Sequence, residues 1–404
     1  MSADDGDQSS TRELALLREL AERTDVWAAI DAATGSELQV QTQLRKQFAA
    51  ELVRAALELR ELRVRAAEKF SRASLMWLTR QSLEQATPEA VARHKARRFA
   101  AVGQSGPAVL DLCTGIGGDA IALTDVVDVI GHDLDPALLQ RAEWNVAAYG
   151  HASRFTSRVA DVTTVDLTGR LVHLDPDRRS RGSRSIRLEH SQPSLEFLQQ
   201  LAAEGRGGAI KVSPASNFGG KFPAAEIELV SLHGECKEAT IWYGELRGDA
   251  AYRATSLPTG VTIAGHPLAV VTDVRPPGRY VYDPDPAVVR AGLVDLLAAE
   301  LSLWRLDDSE EYLSGDTLCD SPFVTPFDVL DDLPANDRIV RQSVREARLG
   351  SVEIKCRHVK IDPPAIRRKL PLDGDGSGVL IYARLAGKTR VLRCIRVARG
   401  HRAG

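Results

Sequence analysis

Residues 108–123, AVLDLCTGIGGDAIAL, pass from a short apolar run through Asp111 and three glycines in four positions (Gly115, Gly117, Gly118) into a second apolar run. That order reads as a strand, a tight turn and a helix. In an open parallel sheet, ligands bind at the carboxyl ends of the strands, and a turn without Cβ atoms lets a ligand approach the main chain closely. Working outward, VVDVIGHDL (126–134), RLVHLDP (170–176) and GAIKVSP (208–214) are expected strands, and helices are expected near 118–124, 136–149 and 193–204. Strands alternating with helices predict an α/β fold with a parallel sheet covered on both faces. The stretch 226–246 predicts an antiparallel hairpin closing one edge of that sheet.

Before the glycine turn, residues 13–99 are rich in Ala, Leu, Glu and Arg, with Phe48, Leu52, Leu59, Leu62, Ala66 and Phe70 at helical spacings, which predicts an amphipathic helical region. Residues 1–10 are polar and expected to be disordered. Thr87-Pro88 reads as the cap and first position of a helix running to Arg98. Beyond residue 276 a helix is expected over 287–301, with Asp285 and Pro286 as cap and first residue. The Pro- and Asp-rich SPFVTPFDVLDDLP (321–334) reads as a linker. A small mixed module follows, with helices over 339–349 and 363–369 and strands over 351–357, GVLIYARL and KTRVLRCIRV. The expected organisation is thus a helical region (1–100), an α/β domain (101–275), a linker with a helix (276–335) and a basic module (336–400).

The 404 residues, 44% apolar and 26% charged, suffice for two or three domains with full cores. Five scattered cysteines with no CxxC pair disfavour a disulfide framework or a zinc site, so a reducing cytoplasm and no metal are expected. No apolar run approaches the roughly 20 residues of a membrane helix. The net charge of −3 conceals an asymmetry. From Arg338 to Arg402 there are 13 Arg and 4 Lys against five acidic residues, a net +12 that leaves −15 for the rest of the chain. A basic module on an acidic body is an electrostatic footprint for nucleic acid; the alternative is a solvated, Arg-rich surface.

Asp133 lies 18 residues beyond Gly115, at the tip of the neighbouring strand, where a carboxylate can accept both hydrogen bonds of a ribose diol. Asp161 sits where it could meet an adenine amine; either residue could instead cap a helix. GIGGDA lacks the third glycine of a dinucleotide-binding turn, which weighs against a nicotinamide enzyme. His173 lies within a strand and reads as a core residue. Phe218 reads as packing on its own domain, with stacking on a substrate as the alternative.

DLCTGIGGDAIAL, VIGHDLDPALLQRAEWNVAAYG and LVHLDPDRR together resemble the motifs of class I S-adenosylmethionine-dependent methyltransferases, and are most similar to RNA methyltransferases including the trimethylguanosine synthase group. TPEAVARHKARRF resembles the segment that precedes the cofactor domain there. EIKCRHVKIDPPAIRRKL and GVLIYARLAGKTRVLRCIRV resemble the THUMP-like domain of bacterial proteins that pair it with such an enzyme. The resemblance covers most of residues 70–400. It implies a Rossmann-like sheet with an amino-terminal helical region and a small α+β carboxyl-terminal domain. It also implies S-adenosylmethionine as cofactor, with Asp111, Cys113, Gly115 and Gly117 around its methionine end, Asp133 on the ribose and Asp161 at the adenine.

In amino-methylating relatives a [D/N]PP[Y/F/W] motif follows the fourth strand. Here the stretch is Asp175-Pro176-Asp177-Arg178-Arg179, so Asp175, Pro176, Asp177 and Arg178 are the expected catalytic residues. Arg178 replaces the stacking aromatic; a guanidinium can stack on a base or clamp a phosphate, so RNA remains the expected partner through Arg178, Arg179 and the basic module. The alternatives are a protein or small-molecule acceptor, or a non-catalytic scaffold.

Overall fold

A computed structural model of the chain describes residues 3–103, 106–176, 179–180, 183–184 and 187–397. The chain divides into two compact units, Met1–Glu226 with Lys237–Asp249, and Ile227–Cys236 with Ala250–Gly404.

The first unit opens with six helices: α1 (Ala3–Glu22), α2 (Thr24–Ala32), α3 (Glu37–Leu44), α4 (Ala50–Ala66), α5 (Arg80–Gln85) and α6 (Glu89–Gly103). The alternation follows, with β1 (Val109–Leu112), α7 (Gly118–Thr124), β2 (Val129–Asp133), α8 (Pro136–Ala148), β3 (Phe155–Val159) and β4 (Leu171–Leu174). The two-residue strands β5 (Arg179–Ser180) and β6 (Ser183–Arg184), helix α9 (Leu195–Glu204) and β7 (Gly207–Val212) complete it. The chain leaves this unit along β8 (Glu226–Leu232) and returns along β9 (Glu235–Gly244), which runs antiparallel to β7 with Lys211 opposite Thr240. Within the unit the strand order is β9-β7-β4-β1-β2-β3, parallel from β7 to β3. The order reverses direction at β1, between β4 and β2, and the crevice beyond that reversal is where open sheets of this kind take ligands.

The helical expectation for the amino-terminal region holds, with Leu52, Leu59, Leu62, Ala66 and Phe70 all buried. Residues 1–10 differ from expectation: α1 begins at Ala3. It is tied to α8, since the Ser10 hydroxyl donates to Asp135 at 2.5 Å and Arg141 pairs with Glu13 at 2.6 Å. At the other end of the region, α6 starts at Glu89, one residue later than the sequence suggests, and the carbonyl of Pro88 accepts from Ala92. The sheet side of α6 is fixed by Phe99, buried against Trp242 of β9 with ring centroids 6.2 Å apart.

The second unit holds β10 (Tyr252–Leu257), parallel to β8, and β11 (Val261–Gly265), antiparallel to β10. Its remaining elements are β12 (Tyr280–Pro284), α10 (Pro286–Ala291), α11 (Val294–Leu301), β13 (Trp304–Arg305), β14 (Leu313–Gly315), β15 (Val324–Pro334), α12 (Asp337–Glu346), β16 (Leu349–Cys356), α13 (Pro363–Lys369), β17 (Gly376–Leu385) and β18 (Lys388–Arg396). Seven of these strands form a sheet in the order β13-β14-β12-β15-β18-β17-β16. The stretch read as a linker is therefore β15, eleven residues long and antiparallel to both β12 and β18. Its acidic residues are held by arginines of β18, Asp331 by Arg393 and Asp332 by Arg390 at 2.8 Å, a pairing that local sequence does not announce. The helix expected over 287–301 is two helices, because Gly292 takes a left-handed φ of 71° and ends α10. Asp285 does cap α10, accepting from the Ala287 amide at 2.8 Å with Pro286 at the first position.

Candidate active site

The strand β1 ends at Leu112 and the backbone at once takes left-handed conformations, with φ of 59° at Cys113, 57° at Gly115 and 80° at Gly117. The Thr114 hydroxyl donates to the Asp111 carbonyl at 2.7 Å, and the Gly117 amide to the Thr114 carbonyl at 3.0 Å, closing the turn that launches α7. The two positive-φ glycines differ. A Cβ on Gly115 would meet nothing within 4 Å, whereas one on Gly117 would lie 3.2 Å from the Cα and Cβ of Ala142 in α8. Gly117 thus seats α7 on α8, and Gly115 leaves open space. The Gly117→Ala variant, which adds a contact with α8 to the backbone strain, is expected to lose about 1–3 kcal/mol of stability by thermal or urea unfolding.

That open space belongs to a cavity of about 860 Å³ within the first unit, at the carboxyl tips of β1, β2 and β4. Of the residues singled out from sequence, Asp111, Cys113, Gly115, Asp133, Asp161, Asp175 and Pro176 line it; Gly117 does not. The side chains of Asp177, Arg178 and Arg179 lie outside the described residues.

Asp133 closes the turn from the neighbouring strand, accepting from the Gly115 amide at 2.9 Å through one carboxylate oxygen and from the Asp135 amide at 3.1 Å through the other. Burial pushes its carboxyl above the usual range; the amides oppose this and Asp135 adds to it. Asp161 is exposed and serves as a cap, one oxygen accepting from the Thr163 amide at 2.9 Å and hydroxyl at 2.7 Å. These bonds hold its carboxyl below the usual range.

Beneath the cavity lies a buried ionic network that sequence reasoning missed. Asp111 accepts from Nδ1 of His173 at 2.6 Å, so this strand histidine is buried as expected but bonded to a cavity carboxylate. Asp119 of α7 lies 3.0 Å from the Lys95 ammonium of α6, which also reaches Glu238 of β9 at 2.8 Å. Thr87, read as a helix cap, donates its hydroxyl to Asp119 at 2.8 Å. Lys211 of β7 donates to Asp175 at 2.6 Å and to the Gln85 carbonyl at 3.2 Å, tying the end of α5 to the strand tips. Burial acts to lower both lysines, but the facing carboxylates outweigh it and hold both above their usual values. Burial likewise acts to raise Asp119, yet Lys95, His173 and Lys211 leave it below its usual range. A lysine inside the apolar run GAIKV was the one available signal of this network. Lys95, among the arginines of an amphipathic helix, offered none.

Phe218 is buried at 2% exposure, as a packing residue would be. Among the described residues no group of His, Cys, Asp and Glu is arranged to hold a metal ion, and no helix is long and apolar enough to cross a membrane.

Residues 324–396 match the THUMP domain-like family. Two uncharacterised S-adenosylmethionine-dependent methyltransferases of Mycobacterium tuberculosis, from strains CDC 1551 and H37Rv, are 37% identical to the chain over 314 residues, 76% of this chain and 85% of theirs. The crystal structure of a protein from Porphyromonas gingivalis W83 that carries a methyltransferase designation shares the fold, with a TM-score of 0.70, 19% identity and coverage of 96% of this chain and 99% of that one. With the glycine turn, the acidic strand tips and the relatives in agreement, the chain belongs to the class I S-adenosylmethionine-dependent methyltransferases and carries a THUMP-like domain at its carboxyl end.

Proposed function

We propose that the cavity takes S-adenosylmethionine along the glycine turn and presents its methyl group to a nucleophile of RNA held at Asp175. The observation that carries this reading is the convergence on one cavity of a glycine with open space above it (Gly115), a half-buried carboxylate at the next strand tip (Asp133) and a lysine-paired carboxylate two residues beyond His173 (Asp175). The residues fit the cofactor: Gly115 leaves room for close approach to the main chain, Asp133 offers two acceptor oxygens suited to a ribose diol, and Asp111 offers a buried oxygen with no hydrogen-bond partner to the methionine end. The cofactor supplies an already activated methyl on a sulfonium, so the protein's work is alignment and exclusion of water. Asp175, fixed by Lys211 and by its own amide donating to the Leu112 carbonyl at 3.2 Å, would accept a hydrogen bond from the incoming N–H or O–H and aim its lone pair. Arg178 and Arg179, after Pro176, would meet the base or its phosphate.

The RNA part of the reading rests on the second unit. Six of the lysines and arginines of its basic module are neutralised in place, among them Lys355 and Arg357 on Asp283, Arg393 on Asp331 and Arg396 on Glu353. Arg338, Arg341 and Arg345 of α12 and Arg367 and Arg368 of α13 stay exposed without a carboxylate partner, and the Lys369–Asp337 pair at 3.1 Å brings the two helices together. An exposed cationic face of this kind suits phosphates and gives salt-sensitive affinity without sequence information. The in-place ion pairs favour a second reading, in which the module is a stabilising domain and the acceptor is a protein or small molecule.

The test is labelled methyl transfer from S-adenosylmethionine to total RNA, total protein and a small-molecule extract, run with wild type and with Asp175→Ala. Label in RNA that falls at least about 100-fold in the variant, with cofactor binding intact, is the expected result; label in protein or small molecules alone overturns the RNA assignment. The glycines give an independent check. Gly115→Ala, which puts a methyl into the open space, is expected to weaken cofactor binding about tenfold or more, and Gly117→Ala by no more than about threefold.

A further inference from the structure

Eight residues lining the cavity carry carboxyl groups, and Arg80, 3.8 Å from Glu61, is the only lysine or arginine among the described lining residues. Asp119 and Asp175 are balanced by lysines and Glu13 by Arg141. Among the described residues, Glu58, Asp133, Asp135 and Asp161 are paired with no lysine or arginine, and Asp111 is paired with His173 alone. A second, independent feature points to a cationic occupant: Oδ2 of Asp111, a residue about 1% exposed and lining the cavity, has no hydrogen-bond partner. Buried polar atoms without partners are costly, and a carboxylate oxygen can be satisfied only by a donor, best a charged one.

On the reading that this cavity holds the methyl donor, we infer that it selects by charge, binding the sulfonium form more tightly than the neutral thioether that methyl transfer leaves behind. In the transfer the acceptor's lone pair forms the new bond to carbon, the S–C bond breaks with its electron pair kept on sulfur, and the acceptor's proton departs. The donor thereby loses its methyl group and one positive charge and keeps every other group. Its hydrogen bonds with the glycine turn, Asp133 and Asp161 are shared by donor and product and cancel in the ratio of their affinities, so that ratio reads the field of the unbalanced carboxylates at the sulfur together with the contacts of the lost methyl, and a ligand that carries the charge without that methyl separates the two. At a few ångströms to a nanometre, in a partly solvated cavity, that field amounts to about tenfold for one charge. Product would then leave readily, and anionic groups of an acceptor would be kept outside.

Three ligands titrated calorimetrically into the full chain test this: S-adenosylmethionine, S-adenosylhomocysteine, and sinefungin, in which an ammonium-bearing carbon replaces the sulfonium. The expected result is that S-adenosylmethionine and sinefungin bind about tenfold or more tightly than S-adenosylhomocysteine at low salt, with the ratio narrowing as salt screens the cavity. The double variant Glu58→Gln/Asp135→Asn, whose asparagine keeps the cap of α8, is expected to narrow the ratio about threefold and leave S-adenosylhomocysteine binding within about twofold. S-adenosylhomocysteine binding as tightly as the other two, sinefungin following S-adenosylhomocysteine, or a ratio unmoved by the double variant would each overturn the inference while leaving the cofactor assignment standing. Failure of all three ligands to bind would overturn the cofactor assignment and the inference with it.

Discussion

Asp133→Ala is expected to lose about 100-fold or more in affinity for S-adenosylmethionine, the equivalent of two charge-assisted hydrogen bonds at roughly 1.5 kcal/mol each. The carboxylate sits at the tip of β2 and accepts from the amides of Gly115 and Asp135, and among the described residues no lysine or arginine is paired with it. A ribose diol placed there would donate twice to one side chain, and alanine removes both acceptors at once. The loss belongs to binding and not to folding if the unfolding midpoint of the variant stays near that of wild type, so calorimetry and thermal unfolding are run on the same samples. Affinity unchanged within about threefold would remove Asp133 from the binding site.

Lys95→Met is expected to cost about 3–5 kcal/mol, because it leaves Asp119 and Glu238 buried and facing each other without their shared cation. Lys95, Asp119 and Glu238 are 3%, 8% and 2% exposed, so water cannot replace the ammonium. The same network sets a pH dependence. Asp119 has a folded-state carboxyl below its ordinary value near 3.8, so its contribution to stability is complete above that value and is lost as pH falls through the range beneath it. Urea unfolding of wild type and Lys95→Met between neutral pH and about pH 3 measures both effects. The variant's deficit should shrink toward the acid end, where protonation neutralises the buried pair of carboxylates left without a cation.

What could be read from the sequence was what depends on neighbours in the chain. Gly115 and Gly117 announce a positive-φ turn because other residues pay a steric cost there, and Asp133 follows from the spacing of successive parallel strands. The strands and helices of the basic module were legible for the same reason, as period-2 and helical patterns between turn residues. The network under the cavity was not: Lys95 and Glu238 are 143 residues apart, and neither stands in a motif. Nor was β15, where Pro326 and three aspartates imitate a loop. Their accommodation depends on β18, which supplies Arg390 and Arg393, and on Pro326 accepting from the Val397 amide at 3.1 Å through its carbonyl. Sequence also suggested that both positive-φ glycines face the ligand, whereas packing on Ala142 separates their roles.

The excursion of the chain between β8 and β9 bears on how the protein emerges during synthesis. The last parallel strand, β7, is finished at Val212, yet the first unit waits for Lys237–Asp249, which brings Glu238 to Lys95 and Trp242 to Phe99. A nascent chain halted at Glu226 would hold every residue of the glycine turn and of Asp175 while Lys95 lacked half its counter-charge and the aromatic face of α6 lay uncovered. Completion of the first unit therefore depends on a segment that the ribosome makes only after it has begun the second.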